Sequence, residues 1–235
     1  MKQILSRLLL SATAILSPLL AEAQNPIAQT FFSTDPAPMV YGDRLYVFTG
    51  HDEEDADFFW MHDWRLLSTV DMVNWQDHGS PLSLFDFKWA DDRAWAPQVI
   101  ERNGKFYFYV PVHSKISNGM AIGVAVADNI EGPYHDALGK PLYEDGKWDH
   151  IDPTVWIDDD GQAYIAWGNP KYYSAKLSDD MIHLASEVKC DTTVKRYTEG
   201  PWLYKQRSLS KQEIKQMKLT KKELKASAWG KWFLI

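Results

Sequence analysis

The sequence is poor in cysteine, in positive charge and in long apolar runs. Cys190 is its single cysteine, so an internal disulfide and a cysteine-based zinc site are both excluded. The formal charge is −7, which argues against a nucleic-acid backbone as partner. Only Leu8–Leu20 is a sustained apolar stretch, and Ser11, Thr13, Ser17 and Pro18 interrupt it. It is too short for an ordinary membrane span. Lys2 and Arg7 precede it and Ala21-Glu22-Ala23 follow, which reads as a secretory signal peptide over 1–23. The expectation is a secreted or periplasmic protein without stable membrane association.

What is present is a heavy load of rings: 11 Trp, 11 Tyr and 10 Phe in 235 residues. Such content serves both core and flat binding surfaces. Charge is unevenly spread. Residues 206–235 hold eight Lys or Arg against Glu213 and Glu223, a charge of +6, whereas the remainder carries −13.

From residue 35 onward the pattern alternates with period two. Leu45–Phe48, Phe106–Val110 and Ala163–Trp167 read as strands, each after a turn signal: Gly42-Asp43, Asn103-Gly104 and Asp160-Gly161. A shorter apolar strand headed by proline precedes each turn, and the heading prolines are 36, 97, 153 and 201. A second strand pair closes each unit: Leu66–Val70 with Trp75, Gly123–Ala127 with Tyr134, and Tyr172–Lys176 with Ile182. Four strands per unit, repeated about every 50 residues, predict an all-β propeller. The fourth unit begins at Glu199-Gly200-Pro201 and then breaks at about residue 207. The expected organisation is a signal peptide (1–23), a partial propeller (24–206) and a basic tail (207–235). Loosely helical spacing marks the tail, which is read as foreign to the domain, as a reading-frame shift would produce. Three blades and one strand leave sheet edges open, so poor stability and little activity are expected of this polypeptide.

In a propeller the first strand of each blade lines the central channel. Asp35, Asp152 and Glu199 head three such strands. Clustered acids bind metal or move protons, and a neighbouring carboxylate raises the pKa of a proton donor. Spacing alone leaves open that they merely cap strands.

The segments Thr34-Asp35-Pro36-Ala37-Pro38, Ala94-Trp95-Ala96-Pro97, His150-Ile151-Asp152-Pro153-Thr154 and Tyr197-Thr198-Glu199-Gly200-Pro201 resemble glycoside hydrolase family 43. Ser68–Trp75 and Asp158–Tyr164 add to the likeness, in family order across 27–205. The resemblance implies a five-bladed propeller that inverts the anomeric centre. It assigns Asp35 as general base, Glu199 as general acid and Asp152 as the residue that raises the acid's pKa. In inverting sites base and acid stand roughly 6.5–9.5 Å apart. Trp95, His51, Asp52 and His113 are candidate sugar contacts, and Phe58, Phe59, Trp60 and Trp64 are candidate wall residues. The implied substrate is an oligo- or polysaccharide of the arabinoxylan type, cut by an α-L-arabinofuranosidase. A β-xylosidase is the second reading, and a non-catalytic sugar-binding propeller or inactive fragment the third. No cofactor is required. Many members hold a structural ion, such as calcium, through a late histidine in a region this chain does not reach. Asp158-Asp159-Asp160-Gly161 lacks the spacing of a calcium loop and reads as a turn.

Overall fold

A computed structural model describes residues 26–227 and 230–235. The expected signal peptide lies outside the described residues. Strands dominate: three antiparallel sheets follow one another along the chain, then a two-stranded pair. Sheet I contains β1 (Phe32–Tyr41), β2 (Arg44–Asp52), β3 (Met61–Thr69), β4 (Gln76–Asp77) and β5 (Leu82–Ser83). Sheet II contains β6 (Ala90–Asp92), β7 (Gln98–Arg102), β8 (Lys105–Ser114), β9 (Gly119–Ala127) and β10 (His135–Asp136). Sheet III contains β11 (Thr154–Ile157), β12 (Ala163–Trp167), β13 (Tyr172–Lys176) and β14 (Lys189–Asp191).

Turn chemistry sets the registers. Arg102 pairs with Lys105 across Asn103 and Gly104, both at positive φ (55° and 76°). Two successive left-handed residues make the turn whose twist matches the strands it joins. In β8 the alternation sorts side chains between two layers. Phe106, Phe108, Val110 and Val112 join Phe48, Trp64, Leu66 and Phe87 of the first core. Tyr107 and Tyr109 face the second core, with Ile122, Val155, Ile165 and Trp167. Sheet II is thus covered on both faces, which explains its near-continuous apolar sequence. Each such large side chain withdrawn from water contributes roughly 1.5–3 kcal/mol.

Sheet III departs from expectation in one strand. Its outer strand is Lys189–Asp191, and Ile182 stands in a turn instead. Asp180 accepts from the Ile182 N–H (3.1 Å), and Met181 takes φ 64°. The chain therefore reverses before pairing again.

The first strands of the units, β1, β7 and β11, lie side by side in that order. Gln98 of β7 reinforces this by accepting the backbone N–H of Val155 in β11. Beside β11 lies β15 (Leu203–Lys205), the strand expected to lack partners. It has one. β16 (Trp232–Leu234) pairs with it antiparallel, and Trp202 and Ile235 exchange two backbone hydrogen bonds of 3.0 Å. Between them the basic tail forms two short helices, Lys211–Gln216 and Lys221–Ala226. Capping boxes start both, Ser210 with Glu213 and Thr220 with Glu223. Trp232 anchors the return: its indole donates to Asp158 (2.9 Å), and its ring lies 6.3 Å from Trp156. Lys205 pairs with Asp159 at 2.5 Å. The aspartate run after β11 therefore serves as a turn and a docking point for the tail.

Candidate active site

The bulge within β1 and the segments entering β11 and β15 open into one cavity of about 560 Å³, lined by Asp35, Trp95, Asp152 and Glu199 together with Phe58, Phe59, Met61, Asn169 and Trp202. The backbone at these places is unusual. Asp35, Asp152 and Gly200 each precede a proline and take positive φ (49°, 57° and 62°). For a residue other than glycine this conformation costs on the order of 1–3 kcal/mol and persists only where the surroundings enforce it. At Asp35 the enforcement is a bulge, since the β1–β2 register slips between Thr34 and Ala37.

The acids differ in environment. Asp35 and Glu199 are exposed to the cavity. Asp152 is half-buried, and its carboxyl is pushed up to about 7, first by desolvation and then by the charge of Glu199 and, less, of Asp35; a hydrogen bond from the Gly200 N–H (3.0 Å) opposes this. Asp152 therefore keeps a proton up to near-neutral pH while contacting the residue next to Glu199. Asn169 donates its side-chain amide to Glu199. Behind the site, His150 is fully buried; Nδ1 accepts from the Trp167 indole (2.9 Å), so Nε2 donates to Asp145 (2.6 Å). This neutral, doubly held imidazole fixes the segment leading to Asp152.

Gly168 joins the two halves of this arrangement. Its N–H donates to Ile151, its carbonyl accepts from the Tyr197 hydroxyl, and its φ is +123°. A Cβ there would lie 2.0 Å from the Lys171 carbonyl oxygen. Gly168→Ala is expected to destabilise the fold by about 3 kcal/mol, read as a lowered melting temperature. An unchanged melt would contradict the geometry.

The structure brings four sequence candidates, Asp35, Trp95, Asp152 and Glu199, into the cavity lining, and leaves His51, Asp52 and His113 outside it. His51 is engaged by Asp63 (2.6 Å) and His113 by Asp91 (2.7 Å). Asp52 stands behind Asp35; burial, followed by the Asp35 charge, raises its carboxyl above the usual range. Trp95 is wall and core together: it lines the cavity, donates to the Phe59 carbonyl (2.9 Å) and accepts from the Trp64 indole (2.7 Å) through its own carbonyl. Phe58 and Phe59 are wall residues, whereas Trp64 is wholly core. Sequence reasoning gave no role to Asn169, although it ends the inner hairpin of its unit as His51-Asp52 and His113 end theirs. Among the described residues no three His, Cys, Asp or Glu side chains are grouped to hold a metal ion.

A family model for glycosyl hydrolases family 43 matches residues 23–208. The chain belongs to glycosyl hydrolase family 43. Members of this family are glycosidases, and its similar proteins include the xylosidase/arabinosidase 43A of Humicola insolens, 29% identical over 77% of this chain and 71% of that protein. The arabinoxylan arabinofuranohydrolase of Paenibacillus polymyxa is 31% identical over 80% of this chain and 34% of its own length. Among solved family 43 structures, a β-xylosidase/α-arabinofuranosidase from a compost microbial metagenome, in complex with xylotriose and in a calcium-free form, superposes with a TM-score of 0.69 at 26% identity, covering 78% of this chain and 70% of that one. The GH43_1 enzyme of Xanthomonas citri complexed with xylose gives 0.69 at 27% identity, over 78% and 66% of the two chains. These family 43 relatives support a hydrolase of hemicellulose glycosides.

Proposed function

We propose that the chain removes terminal α-L-arabinofuranosyl units from arabinoxylan-type hemicellulose by single displacement with inversion, on a five-bladed propeller plan of which these sheets are the first blades. The observation that carries this is the meeting of three carboxylates, Asp35, Asp152 and Glu199, in the lining of one cavity. Asp35 takes a proton from water as its oxygen attacks the anomeric carbon. The bond to the leaving oxygen breaks, and Glu199 supplies that oxygen with its proton. Asp152 acts beside Glu199: the charge of Glu199 helps to raise the Asp152 carboxyl, and the Asp152 bond to the Gly200 N–H fixes the backbone beside the acid. Export, as the signal-like residues 1–23 suggest, would place the protein with its polymer.

Preference is measured with p-nitrophenyl α-L-arabinofuranoside and β-D-xyloside. A higher kcat/KM on the arabinofuranoside is expected, with the fresh product of inverted anomeric configuration by NMR. β-Xylosidase is the second reading, favoured by the xylose and xylotriose bound in the similar structures. A higher kcat/KM on the xyloside would select it, and retained configuration would overturn the mechanism.

A further inference from the structure

Beside the cavity lies an exposed aromatic rim with an arginine inside it. Phe58, Phe59, Trp60 and Trp148 are all exposed large apolar side chains. The rings come from distant parts of the chain. Phe58 lies edge-on to Phe59 (5.2 Å) and to Trp60 (5.8 Å), and Phe59 edge-on to Trp95 (6.5 Å). Trp148 leans on His113 at 5.3 Å. At the centre is Arg93, its side chain only 15% exposed and paired with Asp92. Its guanidinium carbon lies 5.2 Å from the Phe58 ring, 5.1 Å from Trp60, 5.4 Å from Trp95 and 5.4 Å from Trp148. The backbone of Arg93 is itself at φ 66°, a conformation retained against its cost.

We propose that Arg93 is a positioning residue for substrate recognition, gathering Phe58, Trp60, Trp95 and Trp148 into a rim that binds the sugar units attached to the one being cleaved. This rests on the glycosidase reading of the cavity. A planar cation attracts ring faces from several sides, which an ammonium on a flexible stem does less well. Held in this way, the rings of three segments present apolar faces that complement the C–H faces of pyranose rings. They are continuous with the cavity through Phe58 and Trp95, which line it. The occupant is therefore a neutral oligosaccharide, one unit in the cavity and the rest along the rim.

The test is binding, read by tryptophan fluorescence of the full chain titrated with xylotriose and with xylose. Xylotriose is expected to bind the parent more tightly than xylose. Arg93→Ala is expected to weaken xylotriose by about tenfold and xylose by clearly less. Arg93→Lys keeps the charge beside Asp92 and is expected to recover only part of the loss, which serves the same test if the alanine variant does not fold. An unaltered preference for the trisaccharide in Arg93→Lys and Arg93→Ala overturns the proposal, as does a parent that ignores both sugars. Selective loss of xylotriose binding supports it even where no turnover is seen, an outcome that would count only against the hydrolase reading.

Discussion

Glu199→Gln is expected to lower kcat on natural arabinoxylan oligosaccharides by about 10²–10⁴-fold while leaving ligand affinity within a few-fold. Glutamine keeps the shape of the side chain and still offers an oxygen to the Asn169 amide that holds Glu199. It has no proton to give. The loss should therefore depend on how much protonation the leaving group requires. An alkoxide leaving from a sugar needs the proton fully, whereas p-nitrophenolate departs as a stable anion. The deficit should accordingly be much smaller on the p-nitrophenyl glycoside than on the oligosaccharide. A uniform loss on both substrates would mean that Glu199 does not donate the proton. Full activity on both would return the cavity to a sugar-binding role without catalysis, the reading from the other functional class.

The parts that were legible beforehand share one physical property, period-two alternation of bulky residues next to a glycine turn. That pattern exposes β2, β8 and β12 because each buries alternate side chains against neighbouring layers. β14 carries no such signal: Lys189, Cys190 and Asp191 are all exposed, so nothing apolar marks the strand. β5 and β6 are too short for any period to emerge. The pairing of β16 with β15 is accompanied by Trp232 reaching Asp158, a contact 74 residues apart in sequence, and the change of charge at residue 207 pointed instead to a tail foreign to the domain. In the site, the acids were legible because a proline follows Asp35 and Asp152 directly and Glu199 at one remove. Their strained backbone and the burial of Asp152 became visible only when three units met. Arg93 was missed for the same reason, since its ring partners come from separate loops. His51 and His113 stand at the expected ends of their hairpins, yet each is engaged by a carboxylate and neither lines the cavity.

Asp152→Asn should make the protein more stable in alkaline solution while reducing its turnover. The aspartate titrates near pH 7 in the fold and at about 3.8 without perturbation. Below about pH 4 both folded and unfolded forms carry the proton, and burial of a neutral carboxyl is inexpensive. Between about pH 4 and 7 the folded form binds the proton more tightly than the unfolded chain, so stability falls as pH rises. Above pH 7 the ionised group is buried beside Glu199 and Asp35, and the accumulated loss is on the order of 4 kcal/mol at about 1.4 kcal/mol per pH unit. Asparagine does not titrate, so this loss is absent from the variant. It also suits the position: its side-chain oxygen still accepts from the Gly200 N–H, and asparagine tolerates positive φ better than most residues. The melting temperature of Asp152→Asn should exceed that of the parent at pH 8, with the difference closing towards pH 4. The same substitution removes the carboxyl that stands beside Glu199 in the cavity, so kcat should fall. Parallel declines of melting temperature with pH in parent and variant would show that Asp152 is not the buried group that titrates.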